Sequence, residues 1–312
     1  MHIHLKNDVL EAEKLSRPKS DEPVEVAQIT KEDVSEKFSM ASHRKRSLVF
    51  MDVKGNPSLK AAIEKGVHPT VIQTVNEVRK ILQSRRGGKR RCIPKGYLDK
   101  AALWKVAVKE PNIFMKKNAP SNDPDLAVYL LLDCSGSMRA LGRLYDASKA
   151  GVILHNVCRE LNIPHAAKGF TTDICTPLEN VLHYNFKEFH ESKAKIESMV
   201  EECICIENVD GYSIRVAASE LLTRPETNKV LFVISDGLPE ATKYGGKRAV
   251  DDTARAVREA MAYRIGVIGI FIGDERNAED ARYIYPSLVF LEKTVNLPFI
   301  LAKNLEKVIT SV

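Results

Sequence analysis

The stretch LAVYLLLDCSGSM, residues 126–138, decides the fold class of this chain. Seven apolar residues lead into Asp133, and two serines around a glycine follow at once. A continuous apolar run of this length, bounded by turn residues, is typical of a strand buried on both faces of a sheet. A second run of this kind, VLFVIS at 230–235, also ends next to an aspartate, Asp236.

Strand and helix patterns alternate around these two runs. Apolar residues three and four apart predict helices at 144–161 and 247–263, and IGVIGIFIG at 265–273 predicts another strand. The polar stretch between the first helix and the second apolar run predicts a helix over 187–201. The order predicts a doubly wound α/β fold, with a mostly parallel sheet flanked by helices.

The remaining sequence predicts a division of the chain into three parts. Residues 1–95 are expected to form an N-terminal extension, partly disordered, with a helix near 70–83 and a basic linker at 85–91. Residues 96–124 form a lead-in segment. The α/β domain is expected to occupy 125–312.

Composition predicts a soluble cytoplasmic protein. The 312 residues are 44% hydrophobic and 28% charged, which is enough apolar material for one sizeable core. No stretch is apolar for long enough to span a membrane, and the first residues lack the apolar core of a signal peptide. The six cysteines show no CxxC pair, as expected for free thiols in a reducing compartment.

Three catalytic interpretations of the DCSGS stretch fail on residue type. A serine-hydrolase elbow needs G-x-S-x-G, and the first glycine is replaced here by Cys134. An aspartyl-phosphate phosphatase needs a second carboxylate two positions after the first, where this chain has Ser135. The sequence contains no G-x-x-x-x-G-K-[ST] phosphate loop. We therefore expect no catalytic residues and no enzyme activity of the chain itself.

A metal site accounts for the stretch better. Asp133, Ser135 and Ser137 alternate along a loop that leaves a strand, so that a carboxylate and two hydroxyls can converge. Asp236 at a second strand end and Asp210 at the start of a helix can complete the ring. Oxygen donors of this kind suit Mg²⁺ or another hard divalent cation such as Mn²⁺.

The alternative without a metal is a helix cap. In it Ser137 accepts a backbone N–H and Gly136 supplies the bend. The second aspartate at a strand end, Asp236, favours the metal site over the helix cap. Thr171 and Thr172, which follow another strand pattern, remain open as further ligands.

These motifs resemble a von Willebrand factor type A (VWA) domain. DCSGS matches its metal-ion-dependent adhesion site (MIDAS), D-x-S-x-S, and VISDG matches the strand that brings the later aspartate. Further stretches upstream and downstream, among them ENVDGYSI at 207–214, resemble the branch formed by the cobaltochelatase subunit CobT and the NorD-type proteins.

The resemblance implies roles for the candidate ligands. Ser135 and Ser137 would bind the cation directly, and Asp133 and Asp236 would contact it directly or through water. In most VWA domains a threonine stands where this chain has Asp210. A third carboxylate is expected to hold the ion more tightly than a threonine would.

The resemblance also implies partners. Relatives of this branch pair with an AAA+ ATPase, so we expect an adaptor for a MoxR-type ATPase in protein remodelling or metal-cofactor insertion. A subunit of a cobalt or magnesium chelatase is one alternative. A nucleic-acid-binding protein that uses the basic run is the other, and we expect it less, because no aromatic residues are interleaved with that run.

Overall fold

The protein is built on a mostly parallel seven-stranded sheet. Its strands, in their order across the sheet, are β1 (Ser47–Asp52), β7 (Asn180–Lys187), β6 (His165–Thr172), β5 (Leu126–Asp133), β8 (Asn228–Ser235), β9 (Ile265–Phe271) and β10 (Leu288–Phe290). The computed structural model describes residues 28–85, 89–93, 95–108, 112–117, 125–173, 180–237, 239–273 and 278–291. All pairings in the sheet are parallel except that of β6 with β7. The predicted doubly wound α/β class is therefore confirmed.

The helices are α1 (Lys31–Lys37), α2 (Pro57–Arg85), α3 (Arg143–Glu160), α4 (Asp210–Leu222), α5 (Gly246–Ala262) and α6 (Glu279–Ile284). A separate small sheet holds β2 (Lys89–Ile93), β3 (Tyr97–Leu98) and β4 (Phe114–Lys117). Short 3-10 helices cover Ala41–His43, Lys100–Val108, Ser137–Gly142 and Ile196–Val200.

Strand β5 lies at the centre of the sheet and contributes to a core on each face. Leu126, Val128, Leu130 and Leu132 pack with α2 and α3 on one side. Ala127, Tyr129 and Leu131 pack with α1, α4 and α5 on the other. Since both faces of the strand are covered, every one of its residues is buried, which explains the uninterrupted apolar run.

The N-terminal region contributes to the large sheet. Strand β1 pairs in parallel with β7, so the domain begins well before residue 125, and the predicted division at that residue is too late. The predicted helix near 70–83 is present as part of the longer α2. The disorder predicted for part of the extension falls largely on residues 1–27, which lie outside the described residues. The last residues of the chain, 292–312, also lie outside them.

Two local predictions are wrong. The helix predicted over 187–201 is replaced by the end of β7, a loop and one short 3-10 helix. The stretch predicted as a basic linker, 85–91, contains the end of α2 and the start of β2, which pairs with β4 in the small antiparallel sheet. Among the described helices, none is long and apolar enough to cross a membrane.

Three buried histidines lie within the two cores. His155 Nδ1 lies 2.8 Å from His165 Nε2, and His183 Nε2 lies 3.0 Å from Ser213 Oγ. Burial lowers the pKa of His155 and of His183 to about 3, and that of His165 to about 4. These side chains therefore stay neutral well below the pH at which a free histidine binds a proton.

The histidines predict a loss of stability in acid. The unfolded chain takes up protons below about pH 6.5 while the folded protein does not, so folding stability falls as the pH drops through that value. The slope is about 1.4 kcal/mol per pH unit for each such histidine. Urea unfolding between about pH 7 and pH 4.5 measures it. His183→Gln should reduce the slope and the exposed control His68→Gln should not; equal slopes in both variants would contradict this account.

Candidate metal centre

The predicted site residues meet at the carboxyl edge of the central strands. Asp133 ends β5, Asp236 directly follows β8, and Asp210 opens α4. Because β5 lies between β6 and β8, this edge is the point where the chain connections diverge to the two sides of the sheet. Ligand sites of doubly wound folds form in the crevice at such a point.

Asp133 organises the loop that follows it. Its Oδ1 accepts a hydrogen bond from the Ser135 backbone N–H at 2.7 Å. Its Oδ2 accepts from Ser235 Oγ at 2.9 Å and from Asn208 Nδ2 at 3.1 Å. One carboxylate thus joins the DCSGS loop, the end of β8 and the segment before α4.

The two serines of the loop point to a common place. Ser135 Oγ and Ser137 Oγ lie 3.0 Å apart, with Ser135 buried and Ser137 exposed. Cys134 instead packs in the core, where its Sγ contacts the Leu132 carbonyl oxygen at 3.7 Å. The alternation of hydroxyls and thiol along the loop therefore separates a polar side from an apolar side.

Gly136 allows the loop to approach the segment before α4. Its N–H donates to the Ile206 carbonyl oxygen at 2.8 Å. A Cβ at this position would lie 2.9 Å from that same oxygen, closer than real Cβ atoms come. The glycine is therefore required by space and not by its φ, which is −62°.

Thr171 holds the segment before α4 from the other side. Its Oγ1 donates to the Glu207 carbonyl oxygen at 2.9 Å and accepts from the Ile206 N–H at 3.3 Å. The backbone N–H of Thr172 also donates to Glu207. The hydroxyl of Thr171 is thus engaged with backbone, whereas that of Thr172 is buried without a hydrogen-bond partner.

Asp210 and Asp236 each carry a buried oxygen with no hydrogen-bond partner. These atoms are Asp210 Oδ2 and Asp236 Oδ1. The other oxygen of Asp236 accepts from Arg143 Nη1 at 3.1 Å, in an ion pair with the first residue of α3. A buried carboxylate oxygen without a donor is costly, so both atoms favour a cation nearby.

The carboxylates also interact electrostatically. Burial, followed by the charge of Asp236, raises the pKa of Asp133 to about 7. Burial and the charges of Asp133 and Asp236 raise the pKa of Asp210 well above its usual range. Like charges held in one desolvated region disfavour each other's ionised form, and a bound cation removes that penalty.

The residues therefore fit a hard cation in their chemistry, through two hydroxyls and up to three carboxylates. Within the described ranges no group of three His, Cys, Asp or Glu side chains is arranged as a metal cluster by itself. The fit depends on the hydroxyls of Ser135 and Ser137, and on the oxygen of Asp236 that Arg143 leaves free.

A buried ionic network supports the helix that carries Asp210. Arg215, one turn further along α4, donates to the Gly211 carbonyl oxygen at 3.0 Å and to both oxygens of Asp252 at 3.1 and 3.2 Å. His43 Nε2 lies 2.8 Å from Asp252 Oδ2. Burial opposes the ionisation of Asp252, but the His43 hydrogen bond and the Arg215 charge outweigh it and lower the pKa of this carboxyl.

This network attaches the N-terminal segment to the site. His43 lies in the segment between α1 and β1, and α1 itself packs on α4. A Cβ on Gly211 would lie 2.5 Å from Asp252 Oδ2, so the residue after Asp210 sits directly against the network. The segment before residue 125 thus helps to fix one of the candidate ligands.

Sequence reasoning missed three neighbours of the site. Asn208 and Ser235 both bond to Asp133, and each stands within two residues of a predicted ligand, in ENVDG and VISDG. Their position in those motifs was the available signal. Arg143 directly precedes the helix pattern at 144–161, six residues after Ser137, and no spacing rule connects it to Asp236.

A family comparison bears on the second half of the site. Residues 176–274 match the family described as "Cobalamin biosynthesis protein CobT VWA domain". The matched region contains Asp210 and Asp236, and the DCSGS loop precedes it. This part of the chain therefore matches a VWA domain of the CobT-like branch. A VWA domain supports a role as a protein-interaction module.

The VWA domain has relatives among known proteins. The uncharacterized protein YojO of Bacillus subtilis is 28% identical over 245 residues, which cover 74% of this chain and 38% of YojO. The chain therefore spans about two fifths of the length of that relative.

Solved structures are similar at low identity. The vWF domain of the type V pili tip protein Mfa5 from Porphyromonas gingivalis has a TM-score of 0.41 and 12% identity, over 60% of this chain and 95% of that chain. The conserved hypothetical protein BatB from Bacteroides thetaiotaomicron has a TM-score of 0.41 and 14% identity, over 59% of this chain and 99% of that chain.

The close approach at Gly136 predicts a steric cost. Gly136→Ala should lower the free energy of unfolding by about 1–3 kcal/mol, because the backbone of Ile206 must move. Gly66→Ala is the matched control: it lies within α2 with nothing within 4 Å of the new Cβ. The control should be stabilised by about 0.5–1 kcal/mol. Urea unfolding measures both, and a neutral Gly136→Ala would show that the loop has room.

Proposed function

We propose that the VWA domain is a non-enzymatic protein-interaction module whose docking site is a Mg²⁺-dependent MIDAS. Asp133, Ser135, Ser137, Asp210 and Asp236 would hold the ion, and Mn²⁺ would serve in its place. The observation that carries the proposal is the pair of buried, partnerless carboxylate oxygens on Asp210 and Asp236, next to a loop that presents two hydroxyls.

The residues around the site have different roles. Asp133 is held by three hydrogen bonds and fixes the loop, as a positioning carboxylate does in many metal sites. Ser137 is exposed and stands at the mouth of the site, next to the exposed Arg139. When bound, the cation would supply a positive charge able to accept a carboxylate oxygen of a partner protein.

Substitution of Asp210 gives the sharpest test of whether the site binds an ion. In excess EDTA, Asp210→Asn should raise the melting temperature by about 2 °C or more, because the unaltered chain must either bury a charge beside two other carboxylates or take up a proton to avoid it. Added Mg²⁺ should raise the melting temperature of the unaltered chain by mass action, and the variant should lose most of that gain.

Asp251→Asn is the control for this experiment, since Asp251 is a partly exposed carboxylate outside the site. It should keep the full Mg²⁺-dependent gain. If Asp210→Asn also kept the full gain, Asp210 would not be a ligand. If Mg²⁺ and Mn²⁺ raised the melting temperature of neither protein, the proposed metal site would be wrong.

We also propose that the partner is a MoxR-type AAA+ ATPase and that the chain acts as its adaptor in the cytoplasm. The resemblance of the motifs supports the partner, and the lack of a phosphate loop in the sequence agrees with an ATPase supplied by another protein. Four of the described cysteines, Cys134, Cys158, Cys203 and Cys205, are free, which supports a reducing compartment.

Binding of a purified MoxR-type ATPase to the immobilised chain tests the partner. Because the ATPase itself needs Mg²⁺, the comparison uses variants and not chelation. Ser137→Ala should weaken binding about tenfold if a partner carboxylate meets the ion at this point. Ser192→Ala, on an exposed loop away from the site, should bind normally.

A chelatase subunit is the second candidate, and the description of the matching family favours it. It predicts that the chain binds the macrocycle-holding subunit of a cobalt or magnesium chelatase. Binding of that subunit, with no binding of a MoxR-type ATPase, would replace the adaptor proposal.

A further inference from the structure

Strand β3 and the 3-10 helix Lys100–Val108 carry the largest concentration of exposed apolar side chains in the described part of the chain. Six of the thirteen exposed large hydrophobic residues fall within twelve positions. They are Tyr97, Leu98, Leu103, Trp104, Val106 and Val108, which we call the 97–108 patch. Trp104 is 65% exposed and Tyr97 is 69% exposed. Apolar residues clustered in this way mark an interaction surface.

The patch does not belong to the cores of the VWA domain. None of the described residues in 89–117 is part of a main hydrophobic cluster. The patch lies on β3 and on the 3-10 helix Lys100–Val108, in which residues three apart, such as Leu103 and Val106, share a face. Its exposure is therefore not explained by a requirement of the fold.

The charge of this region is strongly positive. Residues 89–117 contain nine lysines and arginines against Asp99 and Glu110, a net charge of +7. The whole chain carries +6, so the other 283 residues together carry −1. Positive charge is thus concentrated on the segment that exposes the patch, which predicts an acidic partner.

The geometry points to a protein partner, and we propose that the patch docks an acidic protein segment that carries apolar side chains. Four of the six exposed residues are aliphatic, and these gain from apolar contact but offer no ring for base stacking. Lys105 Nζ already lies 5.8 Å from the centroid of the Trp104 ring. β3 is also an edge strand of its sheet, with an edge to which an extended peptide can add.

This surface is independent of the metal centre. Its residues lie on β3 and the 3-10 helix Lys100–Val108, outside the elements that carry Asp133, Asp210 and Asp236, and no metal is required for its use. A failure of the MIDAS proposal would leave it intact.

The single tryptophan of the chain provides a direct readout, because Trp104 lies within the patch. The probe is a synthetic peptide in which Glu alternates with Leu, titrated into the full chain in EDTA. We expect a saturable blue shift of the tryptophan emission, weakened by added salt. The same peptide with Gln in place of Glu should bind at least about tenfold more weakly.

Variants separate the patch from the rest of the surface. Leu103→Ser with Val106→Ser should weaken binding of the acidic peptide about tenfold and keep Trp104 as reporter. The matched control, Ile72→Ser, replaces an equally exposed residue of α2 and should bind normally. Lys95→Glu with Lys100→Glu should likewise weaken binding, and Lys193→Glu should not.

Three outcomes would overturn the proposal: no emission shift with the acidic peptide, equal affinity for the Gln peptide, or normal binding by the Leu103→Ser/Val106→Ser variant. Tighter binding of a single-stranded oligonucleotide would assign the patch to nucleic acid. Tighter binding of phosphatidylglycerol vesicles would assign it to a membrane surface.

Discussion

Three carboxylates share one desolvated edge of the sheet, and the surrounding structure is arranged to keep them there. Like charges in a buried region repel each other and lose their hydration, so such an arrangement persists only when the backbone fixes it. Here Asp133 is fixed by the DCSGS loop, Ser235 and Asn208, and Asp236 by the end of β8. Asp210 depends on the start of α4.

A second set of charges, one turn into the helix, fixes the start of α4. Arg215 and Asp252 form a buried pair with two hydrogen bonds, and His43 adds a third partner. Removing one member of a buried pair leaves an uncompensated charge. The N-terminal segment that supplies His43 is therefore part of the domain in energetic terms, although it precedes the first motif by about ninety residues.

The sequence predicted those elements that carry a single clear pattern of apolar residues. β5 and β8 are continuous apolar runs, and all five candidate ligands follow from where those runs and one helix pattern begin or end. β7 was missed because it buries polar side chains: His183 contacts Ser213, and Lys187 Nζ donates to the His165 carbonyl oxygen. β1 was missed because its residues are largely exposed or half-buried at a sheet edge. Such strands form by pairing with strands that are distant in the sequence, and the local periodicity of apolar residues does not indicate that pairing.

Arg143 already places one positive charge at the site. Its guanidinium contacts Asp236 Oδ2, while its backbone is the junction between the 3-10 helix Ser137–Gly142 and α3. Gly142, in the left-handed conformation with φ of 73°, forms the hinge before it. An ion bound to the free Oδ1 would share this carboxylate with the guanidinium, and would weaken the attraction that Asp236 exerts on Arg143. Occupancy of the site would thus loosen a partly exposed arginine at the surface that a partner meets.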